Sequence, residues 1–254
     1  MMKLSVVIIT YNEENNILRC INSVKNLADE IVVVDSFSTD RTVEICNATG
    51  CRVILHKFEG YGQQKQFGVD QADNDWILSL DADEVVTDGL AQEIKTLFQR
   101  EIILPAGYFI PFSFCYLGRI LKHVGVGNLR LFDRRKGKFR IVAVHESIDV
   151  NGPVGRLKGK VIHYSYRDLA HHLQKLNTYT SQAAEGYTAQ GRKFSKAWVF
   201  FKFPVNFLNF YFIRLGILNG YPGFMWSFFA AIYGSIKVAK TIEMQEKKSW
   251  HTCS

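Results

Sequence analysis

The sequence lacks the devices that staple or tether a small fold. Its 254 residues include five cysteines, Cys20, Cys46, Cys51, Cys115 and Cys253. The number is odd, the spacing is wide and there is no C-x-x-C pair. Neither a disulfide framework nor a structural zinc site is expected, and a reducing compartment is. There is no internal repeat and no low-complexity linker. No recognised DNA- or RNA-binding motif occurs, so nucleic acid is not an expected partner. Only six apolar-leaning residues precede Tyr11-Asn12-Glu13-Glu14, too few for the core of a signal peptide, and a cytoplasmic location is expected. With 47% hydrophobic and 22% charged residues, the chain is neither disordered nor collagen-like nor a coiled coil, and it can bury a substantial core.

Charge is divided unevenly. The formal total is +7, yet residues 1–100 carry 9 basic and 16 acidic side chains, residues 101–150 carry 8 and 4, and residues 151–254 carry 14 and 4. An acidic first half and a basic second half imply two tasks in one chain. Between Phe194 and Tyr233 lie 15 of the 34 aromatic residues, flanked by Arg192, Lys193, Lys196, Lys202, Arg214, Lys237 and Lys240. Basic edges around an aromatic stretch fit a segment seated in anionic lipid headgroups. They also fit a helical cap packed on the protein's own core. Leu215–Ile236 is 22 residues without a formal charge, long enough to cross a bilayer, but Asn219, Pro222 and four glycines interrupt it.

Hydrophobic patterning predicts alternating strands and helices. Leu4–Ile9, Ile31–Val34, Cys51–Leu55 and Trp76–Leu80 have the length and apolar continuity of buried parallel strands. Helices are expected over Glu14–Asn26, with Ile17, Leu18, Ile21 and Val24 on one face, after the capping group Ser38-Thr39-Asp40, and over Gly89–Gln99. From Pro105 the pattern shifts to short Gly-punctuated strands, Tyr108–Phe112, Leu129–Phe132 and Lys160–Tyr164, and after Asp168 it becomes helical. The expected fold is α/β with a mainly parallel sheet and a helical, aromatic-rich C-terminal region. The domain boundary is placed at 168, giving 1–168 and 169–254.

Three polar clusters, Thr10–Glu13, Asp35–Asp40 and Asp81–Glu84, fall at strand carboxyl ends, where open α/β sheets bind ligands. Asp81 and Asp83, two apart after a strand, can converge on a hard cation such as Mg²⁺ or Mn²⁺, or can form a solvated turn.

The segments LSVVIITYNEE (Leu4–Glu14), IVVVDSFSTDRT (Ile31–Thr42) and DWILSLDADE (Asp75–Glu84) resemble the family 2 glycosyltransferases of the GT-A fold. GYGQQKQFG (Gly60–Gly68), AVHESI (Ala143–Ile148), VIHYSYRD (Val161–Asp168) and RLGILNGYPGF (Arg214–Phe224) resemble its lipopolysaccharide-core, β-1,4-glucosyltransferase-like members. The resemblance implies an inverting, metal-dependent enzyme. It would move a hexose, glucose foremost, from a UDP-sugar to a lipid-linked oligosaccharide, working at the inner face of the cytoplasmic membrane against an anionic surface. By the same resemblance Thr10, Tyr11, Asn12, Glu13 and Lys65 line or support the nucleotide pocket. Asp35 accepts the uracil N–H, a role to set beside that of a turn residue, and Lys65 could equally be an exposed helix lysine. Asp81 contacts ribose or donor sugar, while Asp83 and His163 ligate Mn²⁺ or Mg²⁺. Glu146 is the general base, with Asp133 as runner-up. The Arg134–Arg140 cluster is either a solvated turn or a phosphate-facing group, and His171-His172 is read as structural. Asn219 stands where relatives often carry Asp. Two other readings fit parts of the sequence. One is a non-catalytic nucleotide-sugar-binding or adaptor protein, which would not need a base. The other is a sugar-phosphate nucleotidyltransferase, disfavoured because ITYNEENN contains no glycine to form a phosphate loop.

Overall fold

The computed structural model describes residues 2–99, 104–123, 125, 127–140 and 147–250. The chain forms two compact units, Met1–Ser113 with Gly125–Tyr164, and Phe114–Val124 with Ser165–Ser254.

The first unit is built on β1 (Leu4–Thr10), β2 (Glu30–Asp35), β3 (Arg52–Leu55) and β4 (Trp76–Asp81), mutually parallel in the order β4-β1-β2-β3. All seven residues of β1 are buried, because helices cover both sheet faces and leave no polar side to the strand. On one face Leu4, Val6 and Ile8 join Leu78 and Leu80. They pack with α1 (Ile17–Val24) and with the later α4 (Asp88–Phe98). On the other face Val7, Ile9, Val32, Val34 and Ile77 pack with Val69 of α3 (Tyr61–Gln71). The α1 stripe is Ile17, Cys20, Ile21 and Val24. Leu18 is exposed, contrary to expectation, because the i, i+3, i+4, i+7 face passes through Cys20. This helix starts three residues later than predicted, since the Glu13 carbonyl accepts from Asn16 and Ile17 in a preceding turn.

The chain moves outward through β2, α2 (Thr42–Ala48) and β3, then returns to lay β4 on the opposite side of β1. That reversal opens a crevice at the carboxyl ends of β1 and β4. β5 (Glu84–Val86) follows β4 directly. β6 (Gly107–Ile110) and β9 (Asn128–Asp133) extend the sheet antiparallel beyond β4, and β12 (Val154–Arg156) completes its seven strands. Here β7 (Phe112–Tyr116) and β8 (Arg119–Ile120) precede β9, while β10 (Gly137–Phe139) and β11 (Ile148–Val150) form a hairpin after it. Finally β13 (Val161–His163) pairs antiparallel with β5.

The second unit holds α5 (Leu169–Ala189), α6 (Lys196–Leu208) running into a π-helical turn (Asn209–Ile213), a 3₁₀ turn (Gly216–Asn219) and α7 (Gly220–Trp250). Asp168 caps α5 through the His171 N–H. Tyr116, Leu121, Leu176 and Phe229 form its core, with Tyr166 and Trp226 against them. His172 is enclosed there, 2.7 Å from the Tyr116 hydroxyl through Nδ1 and stacked on Tyr166, and burial pushes its pKa down to about 4. The charge-free run 215–236 is divided between the 3₁₀ turn and α7. Among the described residues no helix is long and apolar enough to cross a membrane.

Asn219 is fully buried. Its amide accepts from the Lys122 N–H (2.7 Å) and donates to the Lys122 carbonyl (3.0 Å). A carboxylate cannot make the second bond, which accounts physically for an amide at this position. Asn219→Asp is expected to cost about 2–3 kcal/mol in chemical denaturation, because it buries a charge and strands a carbonyl. Gly68 lets α3 approach the sheet, since a Cβ there would lie 2.5 Å from Val7 Cγ1 and 2.9 Å from Val34 Cγ2. Helix propensity favours Ala over Gly by about 1 kcal/mol. Overpacking costs about 1–3 kcal/mol, so Gly68→Ala is expected to lower the denaturation midpoint.

Candidate active site

Thr10, Asp35 and Asp81 stand side by side at the carboxyl ends of β1, β2 and β4, as parallel pairing requires. Thr10 stands opposite Asp35, and Ile9 opposite Asp81. Strand alternation turns Asp81 toward the face covered by α3, where Lys65 lies. Lys65 is not an exposed helix lysine: it is 1% exposed, with Nζ 2.9 Å from Asp81 Oδ1. Arg130 of β9 approaches the other oxygen at 3.3 Å and also bonds Glu84 Oε1 at 2.8 Å. Glu84 Oε2 accepts from the Asp81 N–H. Burial would raise the Asp81 pKa, but Lys65 and Arg130 overcome it and hold this carboxyl well below the usual range. Glu84 is fully enclosed, and burial wins over Arg130 to push its pKa up to about 7.

Asp83 and His163 are brought together by the β5–β13 ribbon. His163 stands opposite Glu84, and the Tyr164 N–H bonds the Asp83 carbonyl. The result is a 3.1 Å contact between His163 Nε2 and Asp83 Oδ2. Burial pulls the His163 pKa down, but the Asp83 hydrogen bond and charge outweigh it and raise the value. A hard oxygen donor beside an imidazole nitrogen suits Mn²⁺ or Mg²⁺ as part of a coordination shell. Among the described residues no three His, Cys, Asp or Glu side chains gather as a protein-only site. The donor set therefore fits a cation that takes its remaining ligands from water or substrate.

The loop after β1 is laced to the loop after β2. The Asn12 N–H donates to Ser38 Oγ, Asn12 Oδ1 accepts from the Thr39 N–H, and the Glu13 N–H donates to Thr42 Oγ1. Glu13 Oε2 accepts from the Asn16 amide. Tyr11 is exposed, and Thr10 is buried with its carbonyl accepting from the Ser36 N–H. Asp35 is fully buried, and its two oxygens accept from the Ser38 N–H (2.8 Å) and Ser38 Oγ (2.5 Å), the geometry of a turn-setting residue. Gln64, beside Lys65 on α3, donates to Ser36 Oγ and pairs with His56 Nδ1.

Asp133 and the Arg134–Arg140 cluster lie elsewhere. Asp133 pairs in register with Trp76, at the amino end of β4. That is roughly 16 Å from Asp81 along the strand. Its carboxylate is held bidentately by Arg135, and although burial raises its pKa, the Arg135 hydrogen bonds lower it. A base needs the opposite environment, so Asp133 is a structural ion pair. Arg134 joins it at that end, bonding the Val69 and Ala72 carbonyls, while Arg140 pairs with Asp149 on the β10–β11 hairpin. Glu146 lies outside the described residues. Sequence reasoning gave Arg130 no role at the site and placed Glu84 only as the last member of the Asp81–Glu84 cluster. The available signal for Arg130 was a lone cation inside the apolar strand NLRLFD. A cavity of about 180 Å³ is lined by Lys65, Arg130, Asn128, Phe109, Phe139 and Ser147, among others.

Residues 5–119 match the profile described as Glycosyl transferase family 2. An uncharacterized glycosyltransferase of Rickettsia typhi, RT0209, is 33% identical over 97% of this chain and 89% of its own length. The chain belongs to glycosyl transferase family 2. The described sheet is accordingly the mixed, mainly parallel sheet of the GT-A type. The lipopolysaccharide core biosynthesis glycosyltransferase LpsC of Rhizobium meliloti is 30% identical, covering 98% of this chain and 95% of LpsC. Among solved structures, S. aureus TarS 1-349 in complex with UDP aligns at a TM-score of 0.38 with 25% identity, over 48% of this chain and 38% of that one. Mycobacterium tuberculosis glucosyl-3-phosphoglycerate synthase with Mn²⁺, UDP and glucosyl-3-phosphoglycerate aligns at 0.35 with 25% identity, over 46% and 45%.

Lys65→Met is expected to destabilise the first unit by about 2–3 kcal/mol, less than a fully severed buried pair because Arg130 remains. Asp81 has a lowered folded pKa, so its stabilisation is fully present above the ordinary carboxylate pKa and is lost as pH falls through the folded value. Denaturation of both proteins from neutral to acid pH should show this loss clearly in wild type and reduced in the variant.

Proposed function

We propose that the protein is an inverting, metal-dependent hexosyltransferase that carries a sugar, glucose foremost, from UDP to a lipid-linked oligosaccharide of the lipopolysaccharide core. The observation that supports it best is the meeting of Asp83 with His163 beside an Asp81 already neutralised by Lys65 and Arg130. Similarity to LpsC supports the acceptor class, and the inner face of the cytoplasmic membrane is the corresponding place of work.

In this reading Asp83 and His163 hold Mn²⁺ or Mg²⁺, which when bound supplies positive charge to the leaving diphosphate. Lys65 and Arg130 add fixed cationic charge at the same strand ends and hold Asp81 ionised and oriented toward ribose or donor sugar. Thr10, Tyr11, Asn12 and Glu13 form the nucleotide side of the pocket. Asp35 sets the turn that carries Ser38, and it accepts the uracil N–H where the Ser38 hydroxyl gives way. Glu146 takes the proton of the acceptor hydroxyl as that oxygen bonds the anomeric carbon and the bond to UDP breaks. The domain assignment 1–168 and 169–254 separates this chemistry from the aromatic C-terminal region.

UDP release from a panel of UDP-sugars, with Mn²⁺, Mg²⁺ or chelator, tests the reading. Wild type should release UDP from one donor in a metal-dependent way when acceptor is supplied. Asp83→Asn should lose about a hundredfold or more with its fold intact. Glu146→Gln should retain donor binding and lose transfer to a similar degree. Full activity in Asp83→Asn would remove the metal assignment, and donor binding without transfer to any lipid-linked acceptor would favour the non-catalytic reading.

A further inference from the structure

The second unit leaves an apolar stripe unpaired on α6. Trp198, Phe201, Val205, Leu208 and Phe212 recur at alternating spacings of three and four, the pattern that ordinarily faces a core. All five are exposed, Phe201 by 63%, and they are flanked by Phe200 at 78% and Ile213 at 76%. The opposite row is the one that packs. Phe203, Phe207 and Tyr211 stack in sequence, and Phe203 and Phe207 meet Phe228 and Phe224 of α7 edge-on. Of the 22 exposed large hydrophobics among the described residues, 12 fall between Trp198 and Phe224. Scattered exposed apolar residues are ordinary, whereas a continuous face of this kind marks an interface.

Charge selects the occupant. From Gly186 to Ile242 the sequence contains no Asp or Glu but seven Lys and Arg. Beside the stripe, Lys202 lies over the Trp198 ring at 5.4 Å and Arg214 over the Phe210 ring at 4.9 Å, so cationic heads sit against the apolar face. A second copy would bring the same positive charge to the contact and be repelled. An anionic bilayer supplies both apolar depth and negative headgroups, and aromatic rings favour that boundary. Among the described residues no helix is long and apolar enough to cross a membrane, so a lipid contact of this segment would be an in-plane one.

We infer that α6 and the turns after it form an in-plane docking surface for an anionic lipid bilayer, with the Trp198–Phe212 stripe immersed and Lys202 and Arg214 at headgroup level. The inference does not depend on the sugar donor or on Glu146.

Flotation of the full chain with phosphatidylcholine vesicles, with and without phosphatidylglycerol, tests it. Wild type should float with the phosphatidylglycerol vesicles, less so at high salt. Phe200→Ser/Phe201→Ser/Ile213→Ser should lower partitioning about a hundredfold, and Lys202→Gln/Arg214→Gln about tenfold. Thermal unfolding and UDP-sugar binding should stay at wild-type levels in both, which separates a failure here from a failure of the transferase reading. No flotation of wild type, unchanged flotation of the triple variant, or a stripe-dependent dimer in sedimentation without vesicle binding would overturn the inference.

Discussion

The candidate site depends on where the Asp81 charge is held. A lysine as buried as Lys65 is costly unless its charge is matched, and the carboxylate that matches it is the last residue of β4. The pair joins α3 to the sheet at its ligand-binding edge, and Arg130 ties β9 to the same point while engaging Glu84. Four charged groups on α3, β4, β5 and β9 thus fix one another. Because each needs the others, the edge of the sheet is set by electrostatics as well as by packing, and Gly68 provides the close helix approach that lets Lys65 reach.

Register does the remaining positioning. Parallel pairing places the ends of β1, β2 and β4 side by side, so residues remote in sequence reach one edge without individual adjustment. The β5–β13 ribbon then carries His163 to Asp83 across 80 positions of sequence. A one-residue slip of that ribbon would turn His163 to its other face. The imidazole contact is therefore a test of register as much as of chemistry.

The four parallel strands and their polar ends were legible because buried strands read as continuous apolar runs, as IVVV and WILSL do. The helix boundaries were less so. The residues before α1 are held by hydrogen bonds to Ser38 and Asp40 far along the chain, which no local pattern records. Asp81 and Asp83 stood out by their spacing after a strand, whereas His163 entered only through the family resemblance; the structure brings it to Asp83. Lys65 was visible as a residue, but its burial was not, since only tertiary structure distinguishes an exposed helix lysine from one aimed at a carboxylate. The pairing of Arg130 with Glu84 escaped for the same reason. Asp133 was misleading because its distance along the chain from the acidic cluster says nothing about which end of an antiparallel β9 it occupies.

The charge arithmetic at the site bears on how a donor would be held. Lys65 and Arg130 set two cations against the Asp81 and Glu84 carboxylates in one paired group. In the proposed reaction Asp83 and His163 would face the incoming cation as one carboxylate beside one imidazole. One carboxylate and one imidazole leave a divalent ion substantially positive. In the proposed reaction that residual charge is what a nucleotide diphosphate would neutralise, so metal and donor should bind cooperatively. The acidic balance of the first hundred residues is consequently misleading as a guide to the site itself, where buried cations have offset the strand-end acids before any substrate arrives.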